Sequence, residues 1–270
     1  MIKDKRLFTF GCSLTFYKWP TWADFVGTQY KYFKNYGRHG SGNFYIASQL
    51  YECHEVENLT KDDVVLIMLS SALRFDTITS DSIVQTHGNL LNNDYYDRKF
   101  IENFWSEEFG VYSSWFSISS IVSLLKNIGC EYKIMFGFNM SFTETYEKNL
   151  RNHNMRINNC LNIINRLYNG VNLMDFMYKK MENKGIKFYE FGLGSKRGKD
   201  CHPTITVHHD WVKENMSEYY DDSMENYRQE WEKLIPKDDI LNNTFIFESF
   251  QSSKERKSFM GQIIKEKKLL

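Results

Sequence analysis

The chain of 270 residues is 42% hydrophobic and 25% charged, with 34 basic residues set against 34 acidic ones. That length can bury a sizeable core, and the absent basic surplus excludes a protein that tracks a phosphate backbone. Nucleic acid is therefore not an expected partner. Five cysteines, at positions 12, 53, 130, 160 and 201, are scattered and form no CxxC pair. This argues against a disulfide framework or a zinc site and for a reducing compartment. Residues 1–30 hold no apolar run long enough for a signal peptide. The longest apolar stretch, residues 64–69, is too short to span a bilayer. The expectation is a cytoplasmic protein with no membrane span.

In chain order, residues 7–10 (Leu-Phe-Thr-Phe) predict a first strand ending at Gly11. Residues 21–29 predict a helix, with Trp22, Phe25 and Val26 at the i, i+3, i+4 spacing of one face. The aromatic/lysine alternation of residues 30–36 predicts a second strand, and residues 43–51 a second helix. Residues 63–69 read as a strand buried on both faces, the continuous apolar run that a parallel sheet requires. Residues 115–127 predict a helix, striped by Ile118, Ile121, Val122 and Leu125 and stopped at Gly129. Residues 131–136 and 187–191 predict a fourth and a fifth strand, and residues 204–220 a closing helix.

Strands alternating with helices predict a three-layer α/β/α domain on a five-stranded parallel sheet. The domain is expected over residues 1–220, with residues 75–113 as an insertion after the third strand. Residues 221–270 are expected to form a C-terminal helical extension ending in a basic tail, six Lys/Arg against two Glu from Lys254 onward.

Ligands of open α/β sheets bind at the carboxyl ends of strands, and three such ends carry reactive residues. After the first strand comes Gly11-Cys12-Ser13-Leu14-Thr15, where a serine on a tight turn can attack a carbonyl once a base takes its proton. The bland reading is a helix N-cap serine. After the second strand, residues 35–43 contain Gly37, Gly40 and Gly42. Their backbone N–H groups can approach a developing oxyanion, or the stretch is simply a loop before a helix. The spacing is not the Gly-x-Gly-x-x-Gly of dinucleotide binders, which disfavours a nucleotide site. Before the last helix, Asp200-Cys201-His202-Pro203 sets a carboxylate two residues from an imidazole, on one side of an extended segment.

Together the three segments resemble the blocks of the SGNH (GDSL-like) hydrolase family. Residues 11–15 are similar to its Gly-Asp-Ser-Leu block, with Cys12 in place of Asp. Asn35-x-Gly37-x-x-Gly40 is similar to its second block, and Asp200-x-His202-Pro203, with His208 beyond, to its last. The resemblance spans residues 5–212 and implies a flavodoxin-like sheet and a serine esterase needing no cofactor and no metal. It implies Ser13 as nucleophile, His202 as base, Asp200 as its orienting carboxylate, and the N–H groups of Ser13 and Gly40 as oxyanion donors. The implied substrate is a small-molecule or glycan ester, an acyl or acetyl group on a carbohydrate or lipid. Two departures stand out. Ala72 occupies the place of the family's third-block Asn, leaving Asn43, Ser70, Ser71 or Arg74 as candidate substitutes. Lys199 stands three residues before His202, where the family more often has its Asp. The alternative is an SGNH-like fold kept as a binding or structural module.

Overall fold

The computed structural model describes residues 2–78, 84–89, 99, 103–138, 160, 164, 166–167, 171–183 and 202–234. The strand expected at residues 187–191, Asp200 and the basic tail lie outside the described residues.

Four strands, β1 (Lys3–Phe10), β2 (Tyr30–Asn35), β3 (Val64–Leu69) and β6 (Glu131–Phe136), form one parallel sheet in the order β2-β1-β3-β6. Between them in the chain lie α1 (Trp22–Gly27), α2 (Asn43–Glu57) and α3 (Glu107–Ile128). Helices α4 (Leu173–Asn183), α5 (Ile205–Asn215) and α6 (Ser223–Leu234) follow β6. The architecture is thus mixed α/β, with four strands in the sheet among the described residues.

Successive residues of a strand point to opposite faces, and that period of two divides the core. Leu7, Val64, Leu66 and Met68 pack with Trp22, Phe25, Trp211, Met224 and Trp231 from α1, α5 and α6. Phe8, Phe10, Val65, Ile67 and Leu69 pack with Ile46, Leu50, Ile118, Ile121 and Leu125 from α2 and α3. Helices thus cover both faces. Every residue of β3 is buried, which is why its sequence shows no polar alternation. At the amino-terminal edge Arg6 clamps Asp63 with two hydrogen bonds of 2.7 Å. Burial raises the Asp63 carboxyl, but the Arg6 and Thr60 hydrogen bonds outweigh it and hold it below its ordinary value.

Several boundaries differ from the sequence expectation: β1 begins earlier, at Lys3, and α2 runs on to Glu57. Helix α3 begins at Glu107, eight residues before the expected start, because the Ser106 side chain caps it by accepting from Phe109 N–H. The expected insertion therefore overlaps the first turns of this helix. Its earlier part is an antiparallel hairpin, β4 (Arg74–Ile78) with β5 (Val84–Asn89). The expected closing helix over residues 204–220 breaks at Met216, whose φ of −138° is not helical. A short 3₁₀ turn (Ser217–Tyr219) follows, and α6 then returns Met224 and Trp231 to the core. Gly129 ends α3 as expected, in the left-handed conformation at φ 73°.

Ile67 is fully buried in the cluster that α2 and α3 form on one face of β3, a strand enclosed on both faces. Ile67→Ala should lower unfolding free energy by about 2–5 kcal/mol in urea titrations. A loss under about 1 kcal/mol would contradict the two-sided burial.

Candidate active site

The strand order reverses between β1 and β3: the chain leaves β1 toward β2, then crosses back to β3 on the other side. A crevice opens at such a switch point, outside the carboxyl ends of the strands. Phe10 pairs with Ile67 and Thr9 with Asn35, so the segments leaving β1, β2 and β3 emerge on one edge.

The turn after β1 is closed by Thr15 N–H and Phe16 N–H, both donating to Cys12 O at 2.9 and 3.1 Å. It needs a glycine at its start. A Cβ on Gly11 would lie 2.0 Å from Thr15 Oγ1 and 2.9 Å from Met68 O. Cys12 turns into the apolar cluster with Leu14, Tyr17 and Trp22, where an ionised aspartate would have no compensation. Ser13 sits on the turn, 4% exposed.

The glycine loop is laced onto this turn. Arg38 N–H donates to Gly11 O at 3.0 Å, and Asn35 Nδ2 donates to Thr15 O at 2.8 Å. Gly40 takes φ 74°, a conformation that a side chain disfavours. The hairpin holds the loop from the other side: Gly88 N–H donates to Gly40 O at 3.1 Å. Asp76 accepts from Gly42 N–H and Tyr45 N–H, each at 2.8 Å. Its carboxylate therefore caps the N-terminus of α2, where Gly42 offers no side chain of its own. Burial raises the Asp76 carboxyl above its ordinary value, opposed by those two N–H bonds and by Arg74 and Arg38.

Asn43 is buried, and its side chain is committed. Nδ2 donates to Ser70 O and to Ser114 Oγ at 3.0 and 3.1 Å, and Oδ1 accepts from Ser70 N–H at 2.8 Å. Both amide hydrogens are thus engaged in tying α2 to the end of β3 and to α3, which leaves none for an oxyanion. Ser71 Oγ accepts from Leu73 N–H at 3.1 Å and keeps its own hydrogen to donate. Ala72 packs into the cluster of α2 and α3. Its carbonyl lies so near Gly110 that a Cβ there would stand 2.5 Å away.

His202 reaches this edge through aromatic contacts. Its ring stacks on Tyr17 at 4.0 Å between centroids and 17° between planes. Trp19 Nε1 donates to Pro203 O at 2.9 Å, a buried bond between residues 184 apart in sequence. His39 lies 5.2 Å from the Tyr17 ring and 6.5 Å from His202. Pro203 precedes Thr204, the N-cap of α5, and so stands just outside the helix rather than inside its start. Ser13 Oγ forms no hydrogen bond with His202, and neither Ser13 N–H nor Gly40 N–H donates to another described residue. The structure thus gathers Ser13, Gly40 and His202 at one edge, with Asn43 and Ser71 along the end of β3. Tyr17, Trp19 and Asp76 went unnoticed in the sequence. The aromatic density of residues 16–19 was the available signal for the first two; Asp76 had none.

Beside the N-terminus of α2 opens a cavity of about 470 Å³, walled by Phe44, Phe75, Ile78 and Phe109, with Asn43 and Ser114 on its polar side. Among the described residues no group of three metal-ligating side chains converges, and no helix is long and apolar enough to cross a membrane.

The fold and this edge define an α/β protein with a switch-point crevice. No protein-family model and no curated sequence matches the chain. Among solved structures it is similar to a catalytic mutant of the acetylxylan esterase Axe2 from Geobacillus stearothermophilus. That likeness has 14% identity, covers 81% of this chain and 95% of the other, and has a TM-score of 0.44. It is also similar to a structure named a GDSL-like lipase from Parabacteroides merdae, at 12% identity, 79% and 96% coverage and a TM-score of 0.39. A third is YxiM of Bacillus subtilis, at 12% identity, 68% and 47% coverage and a TM-score of 0.35.

His208, in the first turn of α5, is buried, with neither ring nitrogen hydrogen-bonded. Burial, and then the neighbouring His202, push its imidazole down to about 3. The unfolded chain takes up that proton near the ordinary value of 6.5. Between those limits the unfolded state binds more protons, so stability falls as pH falls, by up to about 1.4 kcal/mol per pH unit. His208→Phe should flatten this slope in urea midpoints measured through the window. Equal losses in variant and wild type would show that His208 is not held neutral. A second prediction concerns Ala72: Ala72→Asn buries an amide among apolar side chains and should cost about 1–3 kcal/mol of stability. An unchanged melting temperature would mean that the side chain faces the crevice instead.

Proposed function

We propose that the protein is a serine ester hydrolase of the SGNH type, with Ser13 as nucleophile and His202 as general base. The observation that carries the reading is the joining of the Ser13 turn to the His202 segment, by the Tyr17–His202 stack and the Trp19–Pro203 bond. Two reactive residues far apart in sequence thereby share the switch-point edge. Ser13 Oγ attacks the acyl carbon while His202 accepts its proton. The backbone N–H groups of Ser13 and Gly40 receive the oxyanion, and Asp200 orients the imidazole. His202 returns the proton to the leaving alcohol, then activates the water that releases the acid. The Ser13–His202 hydrogen bond forms when substrate is bound, as catalytic hydrogen bonds often tighten only in the complex. The substrate is an acyl or acetyl ester of a carbohydrate or lipid.

One observation favours a second reading, a weakly active or binding module of the same fold. With the Asn43 amide spent and Ala72 packed inward, neither position supplies an amide to join the two backbone donors, and the Ser71 hydroxyl is the remaining candidate of those considered. Loss of one oxyanion donor costs about 100–1,000-fold in rate, so an enzyme with this arrangement is slow rather than silent.

A fluorophosphonate probe and short-chain aryl and sugar esters separate the readings. Wild type should label at Ser13, and Ser13→Ala and His202→Ala should each lower kcat by about a thousandfold or more without loss of fold. Asp200→Asn should cost less if a second acceptor holds the ring. A wild-type chain that neither labels nor hydrolyses any ester leaves the binding module standing.

A further inference from the structure

We infer that Tyr17 is the positioning residue for His202, holding its ring plane and stabilising the imidazolium formed when it takes the serine proton. The inference rests on the reading of His202 as general base. His202 lies on a bend outside any helix or strand, so its backbone alone does not hold the imidazole in one orientation. Two contacts from the Ser13 turn act on this segment. Tyr17, only 2% exposed, presents its ring face to His202 at 4.0 Å and 17°. Trp19, packed edge-on against Tyr17 at 4.7 Å, donates to the carbonyl of the next residue, Pro203.

Nucleophile and base are therefore tied to one rigid turn, four residues from Ser13 to Tyr17. The negative face of the tyrosine ring attracts a cation more than a neutral ring. The stack thus strengthens as His202 becomes charged, and an interaction stronger in the transition state raises kcat rather than substrate affinity. Besides Asp200, which lies outside the described residues, the charged or titratable groups near the pair include Lys18, whose Nζ lies 5.4 Å from the Tyr17 ring centroid, His39 and His208. None of these is the ring that lies against His202.

The test compares kcat, KM and thermal unfolding for wild type, Tyr17→Phe, Tyr17→Leu and Trp19→Phe on a short-chain aryl ester. Tyr17→Leu should lower kcat by about threefold to thirtyfold with KM unchanged. Tyr17→Phe keeps the ring face and should restore kcat to within about twofold of wild type. Trp19→Phe removes the N–H to Pro203 together with part of the indole ring, keeps an aromatic ring beside Tyr17, and should lower kcat with the fold intact. A folded Tyr17→Leu with wild-type kcat overturns the inference while leaving the hydrolase reading in place. If Tyr17→Leu does not fold, Trp19→Phe decides: a reduced kcat supports the inference and an unchanged one overturns it. A wild-type chain with no turnover and no probe labelling removes the hydrolase reading and this inference with it.

Discussion

Residue 11 has no room for a side chain: a Cβ there would meet Thr15 Oγ1 at 2.0 Å and Met68 O at 2.9 Å. That close approach lets the chain turn sharply off β1 and press the turn against the end of β3. The rest of the crevice is built on it. Gly11 O accepts Arg38 N–H and so receives the glycine loop. The same turn carries Ser13, packs Cys12 and Leu14 into the core, and leads to Tyr17 and Trp19, which meet the His202 segment. A larger residue at 11 would displace all of these together, because packed interiors do not stretch to absorb half an ångström here and there.

The hairpin of β4 and β5 interrupts the alternation of strands and helices, yet it is part of the crevice. Asp76 supplies the cap that α2 lacks, and Gly88 N–H holds Gly40 O. A helix N-terminus is a natural anion site, and at α2 the protein fills it with its own carboxylate. The N–H groups at Gly42 and Tyr45 are therefore occupied, whereas Gly40 N–H donates to no described residue. Arg74, at the start of the hairpin, adds a hydrogen bond to Ser41 O and lies over the Phe138 ring. The loop is held on one side by the first turn and on the other by the hairpin.

Among the described residues, the ring contacts of the candidate histidine are with Tyr17 and His39. Tyr17 covers one face, His39 stands to the side, and His208 stays neutral because burial strips its charge of solvation and no described residue hydrogen-bonds its ring. A charged neighbour in that position would disfavour the imidazolium that base catalysis requires. Keeping His208 neutral costs stability at acidic pH, a cost borne by the fold and not by the crevice.

The four parallel strands were legible in the sequence because each is a local pattern. Burial on both faces leaves the run of 64–69 wholly apolar and that of 7–10 nearly so, and the partly exposed edge strand keeps lysines among its aromatics at 30–35. The stop at Gly129 was legible for the same reason, since a left-handed residue is a local demand. The residue types of Ser13, Gly40 and His202, each just after a strand or before a helix, marked where chemistry could gather. Their partners were not legible. Asn43 reads as an available amide until β3 and α3 arrive beside it and take both of its hydrogens. Ala72 reads as a missing donor, whereas packing against α3 makes a small apolar residue the one that fits. The early start of α3 is set by a local cap, Ser106, that was overlooked, whereas the break at Met216, the Asp76 cap and the Tyr17–His202 stack were decided by tertiary structure. Periodicity reports which face of an element is buried, but not what it is buried against, and each of the latter features depends on that neighbour.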